Sequence, residues 1–207
     1  MTKHRTVWGL VAGIAVVALV VGGLAVASNM GFKFVPNIPS NGAFNLSLPW
    51  NNNYSNAQSL LTDLRSGGDV TRVAKFNANS TLTSWDGESG VNFAIEKARS
   101  YIAYGGTNGA TPVIVGSHDP NFTIDIGGNQ AFNAAAPYHQ TFSNAQALLT
   151  DLRDKGGDVT RVAKFNTNST LTSWDGESGV NFSLDLGMGV VIYTGGGGVN
   201  GYVWPHY

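Results

Sequence analysis

The residues of this chain whose types could do chemistry are four histidines, two acid pairs and a set of tryptophans. His4 lies near the start, and His118, His139 and His206 are scattered with no H-x-x-x-H, H-E-x-x-H or G-x-S-x-G pattern around them. That spacing predicts turn or solvent-facing histidines, with neither a catalytic residue nor a metal ligand set. Asp86 with Glu88, and Asp175 with Glu177, place two carboxylates two positions apart, a spacing suited to acid/base work or to a cation. The run D-G-E-S-G lacks the ligand series of a calcium loop, however, and Asp-Gly is a hairpin-turn dipeptide. Trp85 and Trp174 recur in the sequence W-D-G, with Trp50 and Trp204 elsewhere. An aromatic on a β face can stack on a sugar ring, and it can equally pack a strand edge. The expectation is a protein that is not an enzyme and needs no cofactor.

Six N-x-[S/T] sequons occur, at Asn45, Asn53, Asn79, Asn121, Asn168 and Asn181. These are the candidate glycosylation acceptors, each requiring an exposed Asn. Asn79 and Asn168 occupy equivalent turns. Asn45 alternates with Phe44 and Leu46, so the pattern points it outward.

Composition narrows the classes further. Charged residues make up 12% of the 207 positions, about half the usual globular share of roughly 25%. The net charge is -1 and no basic block exists, so nucleic acid is not an expected partner. There are no cysteines, which excludes disulfides, thiolate metal sites and cysteine nucleophiles. Lys3, His4 and Arg5 precede an uncharged run from Val7 to Ala27 that ends in Ala25-Val26-Ala27. This is the layout of a secretory signal peptide, yet the run also suffices to span a bilayer. Residues 1–27 are therefore a signal peptide or a membrane anchor, and the remainder is expected to be secreted or at the cell surface.

The positioning elements come from a duplication. Gly67–Phe93 recurs as Gly156–Phe182 with a single difference, Ala78 against Thr167, and Ser55–Arg65 recurs as Ser143–Arg153. Phe44-Asn45-Leu46-Ser47-Leu48 alternates as a strand. Ser55 and Gln58 read as a capping box opening a short helix with Leu60, Leu61 and Leu64 on one face, stopped by Gly67-Gly68. Val70–Phe76 and Thr81–Trp85 read as strands, Val91, Phe93 and Ile95 as a third, Ser100–Tyr104 as a fourth and Pro112–Val115 as a fifth. Unit two repeats the third pattern at Val180, Phe182, Leu184 and Leu186, then adds Val190–Tyr193 and Gly201–Trp204. The fold class is mainly β with a minor α component. It comprises two tandem small β-sandwich or partly open barrel units, each with one short helix, at 28–118 and 119–207 behind an N-terminal hydrophobic helix. The short connector predicts a stiff tandem.

The run N-A-Q-x-L-L-x-D-L, V-T-R-V-A-K-F, L-x-x-W-D-G, N-F, Y-I-x-Y and V-I-V-G-S-H-D-P, after a start Ser28–Phe34, resembles an uncharacterised tandem β-repeat domain of secreted bacterial proteins. The resemblance covers nearly all of the chain beyond the leader and implies no enzymatic chemistry. Glu96-Lys97-Ala98-Arg99 departs from it, where a Pro/Gly-rich turn is expected. The layout also resembles subunits of extracellular fibrils joined by N-terminal strand donation.

The two units differ where Leu46 and Leu48 become Ala134 and Ala136. A Leu-to-Ala change in a core is worth on the order of 2–3 kcal/mol, so unit two should receive volume from elsewhere. The local candidates are Trp204 and Tyr202. The other candidate is a strand carrying Phe32, Phe34 and Ile38 from a neighbouring copy, which would propagate a head-to-tail homopolymer. The same strand can instead fold back on its own unit. The expected function is a secreted structural subunit of an extracellular filament. The alternative is a surface-anchored binding or adhesion module for carbohydrate.

Overall fold

The structure, a computed structural model, describes residues 31–119 and 121–206. The expected leader helix, its cleavage point before Ser28, and Pro120 lie outside the described residues. Unit one contains β1 (Phe32–Phe34), β2 (Ala43–Ser47), α1 (Ala57–Ser66), β3 (Gly68–Phe76), β4 (Leu82–Trp85), β5 (Ser100–Ala110) and β6 (Ile114–Gly116). Unit two repeats the plan as β7 (Ile124–Ile126), β8 (Ala131–Ala135), α2 (Ala145–Asp154), β9 (Val159–Phe165), β10 (Leu171–Trp174), β11 (Gly189–Thr194) and β12 (Val199–Tyr202). The fold is mainly β, in two similar units with one short helix each, as the sequence predicts.

Each unit builds a four-stranded antiparallel sheet, in the order β2-β5-β3-β4 and its counterpart β8-β11-β9-β10. A smaller two-stranded sheet joins the ends of each unit, β1 with β6 and β7 with β12. The helix begins one residue later than the sequence suggests. Asn56 rather than Ser55 is the N-cap, accepting from Ser59 N, and Ser59 closes the capping box. An Asx side chain reaches the third backbone N–H as well as Ser does, so the competition is decided by neighbours. Gln58 is taken by Trp85, whose Nε1 donates to its Oε1 at 2.8 Å.

The expected third strand is absent from both units. Phe93 N–H donates to Val91 O, and the Phe93 carbonyl accepts from Ala57 N–H at the helix start. Ile95 N–H donates to Ser55 O. The segment runs along the helix N-terminus, where Phe93 is buried and Val91 exposed. Alternating burial there reflects packing on a helix, which a period of two cannot distinguish from a ladder.

Both faces of each main sheet are covered over its central strands. On one face Leu60, Leu61 and Leu64 of α1 pack with Leu46, Val70, Val73 and Tyr101, and unit two repeats this with Leu148, Leu149, Leu152, Val162, Val190 and Ile192. The opposite faces meet each other through Ala43, Ala74, Phe76 and Ile102 from unit one against Ala131, Ala163, Phe165 and Val191 from unit two. The order of layers is helix, sheet, sheet, helix. Small residues at four of these eight positions bring the sheets close. The short connector predicts a stiff tandem, and the fold packs the two units face to face.

The contacts across this face are reciprocal, like those of a twofold dimer within one chain. Asn45 and its counterpart Asn133 exchange amide hydrogen bonds, each Nδ2 donating to the other's Oδ1 at 2.8 Å. Ala43 N–H donates to Thr167 O, and Ala131 N–H to Ala78 O. Ser47 N–H donates to Gly187 O, and Ala135 N–H to Ala98 O. Trp50 Nε1 donates to Ala135 O at 2.9 Å, while its counterpart Tyr138 donates its hydroxyl to Ser47 O at 2.9 Å. Trp50 thereby joins the same core as Ala134 and Ala136. The missing Leu volume of unit two is filled by Trp50 from unit one together with Trp204 and Tyr202.

Asn133→Leu leaves the buried Asn45 amide without its partner, and Asn45→Leu leaves Asn133 with only the bond from its Nδ2 to Ser100 O at 3.0 Å. Each single variant should lose about 1–3 kcal/mol of unfolding free energy in urea titrations. The double variant should lose less than the sum, and strict additivity would show that the two amides are uncoupled. Trp50→Ala should cost about 3–5 kcal/mol in the same titrations, because it empties the volume of a ring that is buried against Ala134 and Ala136.

Candidate functional site

The three segments 78–80, 129–131 and 160–161 converge because the turn of one unit docks on the sheet edge of the other. The Ala78 carbonyl receives Ala131 N–H at 2.9 Å. Ser80 sits at φ 64°, a left-handed turn position. Beside this docking point opens a cleft of about 550 Å³ lined by Asn79, Gln130, Thr160, Arg161, Asp175 and Tyr193. The twofold relation makes a second cleft of about 500 Å³, lined by Asn168, Gly42, Thr71, Arg72, Asp86 and Tyr104. The equivalent residues agree at all of these positions except Gln130 against Gly42. The near-identical stretch of sequence therefore supplies the walls of two like sites, each completed by the opposite unit.

Each cleft has a fixed cation. The Arg72 guanidinium lies 4.1 Å from the Tyr104 ring centre, and Arg161 lies 4.2 Å from that of Tyr193. A stacked guanidinium keeps its edge N–H groups free to point outward. Asp86 Oδ1 accepts from the Glu88 and Ser89 N–H groups, and Asp175 Oδ1 does the same for Glu177 and Ser178. Those hydrogen bonds, with smaller help from Arg65 and Arg153, hold both aspartates below the usual carboxylate range. The acid pairs singled out by spacing are thus turn-forming, and their aspartates also face the clefts. Thr71 and Thr160 donate to the Tyr104 and Tyr193 carbonyls.

The tryptophans of W-D-G are placed elsewhere. Trp85 and Trp174 are half-buried, with Nε1 donating to Gln58 and Gln146, so they tie the sheet edge to the helix. Of the sequon residues, Asn53, Asn79, Asn121, Asn168 and Asn181 are exposed. Asn45 is not an accessible acceptor: it is 2% exposed and paired with Asn133. Its alternation with Leu46 was informative about which face it takes, but that face meets the second sheet instead of water.

Phe32 and Phe34 lie in β1, which pairs with β6 of its own unit, and Ile38 bridges Ala110. The side chains of β1 nevertheless reach unit two. The Phe32 ring centre lies 4.3 Å from that of Tyr138, and Phe34 lies 5.1 Å from it. Phe34 also packs over Gly187, at φ 75°, where a Cβ would collide with the ring. Ala134 and Ala136 are covered from within the chain.

The histidines gather where spacing gives no hint of it. His118 follows β6, His139 follows β8, and His206 ends the described chain. Their ring centres lie 4.2 Å (His118–His206), 4.7 Å (His118–His139) and 5.2 Å (His139–His206) apart. One nitrogen from each falls within 4.8 Å of the others. His118 is 4% exposed, against the expectation of a solvent-facing turn. Burial is the main cause holding its pKa down at about 4, and the neighbouring His206 and His139 add to it. His139 is shifted in the same direction, again chiefly by burial. The only sequence signal is that none of the three has a counterpart in the other unit.

No helix among the described residues is long and apolar enough to cross a membrane. What the fold and site define is a chain of two like units clasped face to face, with a cleft on each side of the clasp. No protein-family model, curated protein or solved structure matches this chain.

Proposed function

We propose that the protein is a secreted, non-enzymatic adhesion module that binds polar glycans through its two clefts. The observation that supports this reading is their equivalence: each offers a stacked arginine, an ionised aspartate, an asparagine amide and a threonine around an open volume of about 500 Å³. Vicinal sugar hydroxyls bridge such donor and acceptor pairs, with Asp accepting and Arg donating. An open polar cleft suits a chain with many hydroxyls better than it suits an apolar ligand. Two sites on one rigid body raise the avidity for a repeating polymer. Glycan-array screening followed by calorimetry of the whole secreted chain tests the reading. The expected stoichiometry is two sites per chain, falling to one with Arg72→Ala or Arg161→Ala and to none with both. Binding that survives the double variant sinks it.

A second reading, a head-to-tail filament, is favoured by a different observation. β1 contributes three register pairs to β6 and two aromatic rings to Tyr138 of unit two. Exchange of this strand between copies would reproduce every one of those contacts, as in domain swapping. Deleting residues 28–38 should then abolish filaments seen by negative-stain imaging of native material. Filaments unchanged by the deletion would remove this reading.

A further inference from the structure

We propose that His118, His139 and His206 form a binding site for one first-row transition-metal dication, with Zn²⁺ as the simplest occupant. The site goes beyond the glycan reading and shares no residue with either cleft. Three imidazoles are a complete protein ligand set for a zinc centre that keeps one position open to water or to an added ligand.

Two details of hydrogen bonding point to a cation in particular. His206 Nδ1 lies 2.8 Å from the Trp204 carbonyl oxygen. A carbonyl only accepts, so Nδ1 must carry the proton, and Nε2 of neutral His206 is left with a lone pair. Metal-bound histidines are commonly held in this way, by a backbone carbonyl on the other nitrogen. The second detail is His118 Nε2, which is buried and has no hydrogen-bond partner among the described residues. A buried polar atom of this kind costs free energy unless something satisfies it.

The surroundings fit as well. Trp50 packs 4.8 Å from the His118 ring, and Phe32 lies 6.3 Å from His139, giving the cluster an apolar wall. His139 and His206 are only half-buried, so a cation has a way in. Ligand nitrogens around tetrahedral zinc stand about 3.3 Å apart, given Zn–N near 2.05 Å. The nitrogens here lie within 4.8 Å of one another, so closure needs ring movements of about an ångström. Imidazole ligands also accept Cu²⁺ and Ni²⁺, and an all-nitrogen set disfavours Ca²⁺ and Mg²⁺.

The site joins three separate pieces of chain. His118 belongs to the connector between units, His139 to the turn after β8, and His206 to the final segment, which already bridges Gln140. A bound cation would pin the last residues to the connector and stabilise the clasp by mass action.

The test uses the untagged secreted chain, stripped with chelator and titrated with Zn²⁺ by calorimetry. Co²⁺ serves as a spectroscopic stand-in, and melting temperature is followed in parallel. The expected result is one Zn²⁺ per chain, an intense visible Co²⁺ spectrum of a four-coordinate site, and a rise in melting temperature that chelator reverses. His206→Ala and His139→Ala, both at half-buried positions, should each weaken Zn²⁺ at least about tenfold while the far-UV circular dichroism stays unchanged. The buried His118→Ala is avoided because misfolding would confuse the result. The proposal is overturned if the wild-type chain takes up no Zn²⁺, or if it binds Zn²⁺ equally well with His206 and His139 replaced.

Discussion

The face between the two main sheets is the constraint on which the rest depends. Alanines at positions 43, 74, 131 and 163 bring the sheets together, and the Asn45–Asn133 amide pair lies in that interface. Two amides that satisfy each other are a good solution for polar groups near a twofold axis, because each offers a donor and an acceptor in the same plane. An apolar pair would bury as well but would fix the relative position of the sheets less strictly. The register of this pair determines where turns 78–80 and 167–169 dock, and hence where the clefts open.

The same axis explains why the copies had to diverge. Two side chains cannot occupy one place on it. Ser100 donates its hydroxyl to the Ala134 carbonyl, and its counterpart Gly189 has no room for a side chain because Ser100 and Asn45 already fill the space. Trp50 and Tyr138 cross the interface in opposite directions, and the larger ring goes to the side with the smaller alanines. Gly187 accommodates Phe34, whereas its counterpart Ala98 keeps a Cβ at a left-handed φ of 55°. Divergence at the ends of the units is therefore the packing consequence of a symmetric clasp formed within one continuous chain.

Much of the local structure was legible from residue spacing. Leu60, Leu61 and Leu64 mark the helix, Val70–Phe76 and Ser100–Tyr104 mark central strands, and Asp86-Gly87 marks its turn. The departures of the structure from these patterns share one physical origin. Period-two patterning shows that a residue is on one face or the other, but it does not say what covers each face. Alternation with Phe44 and Leu46 points Asn45 away from their face, and the second sheet rather than water covers the face it takes. Val190-Val191-Ile192, apolar at consecutive positions, was the visible sign of a sheet buried on both faces. Phe93 alternated correctly while lying beside a helix instead of in a ladder.

The sites were less legible than the fold because they exist only between elements distant in sequence. Each cleft takes its arginine, tyrosine and aspartate from one unit and its asparagine from the other, so no window of sequence contains it. The histidines are separated by 21 and 67 positions and meet only because the connector, the turn after β8 and the last segment close over the same end of the clasp. A duplicated chain gives one useful filter here. Residues repeated in both units describe the shared frame and whatever that frame does twice, which is how the clefts arise. Residues present once, when they converge in space, have no role in the repeated frame and need an explanation of their own. His118, His139 and His206 meet that condition, and the bonding demands of their buried and oriented nitrogens supply the explanation.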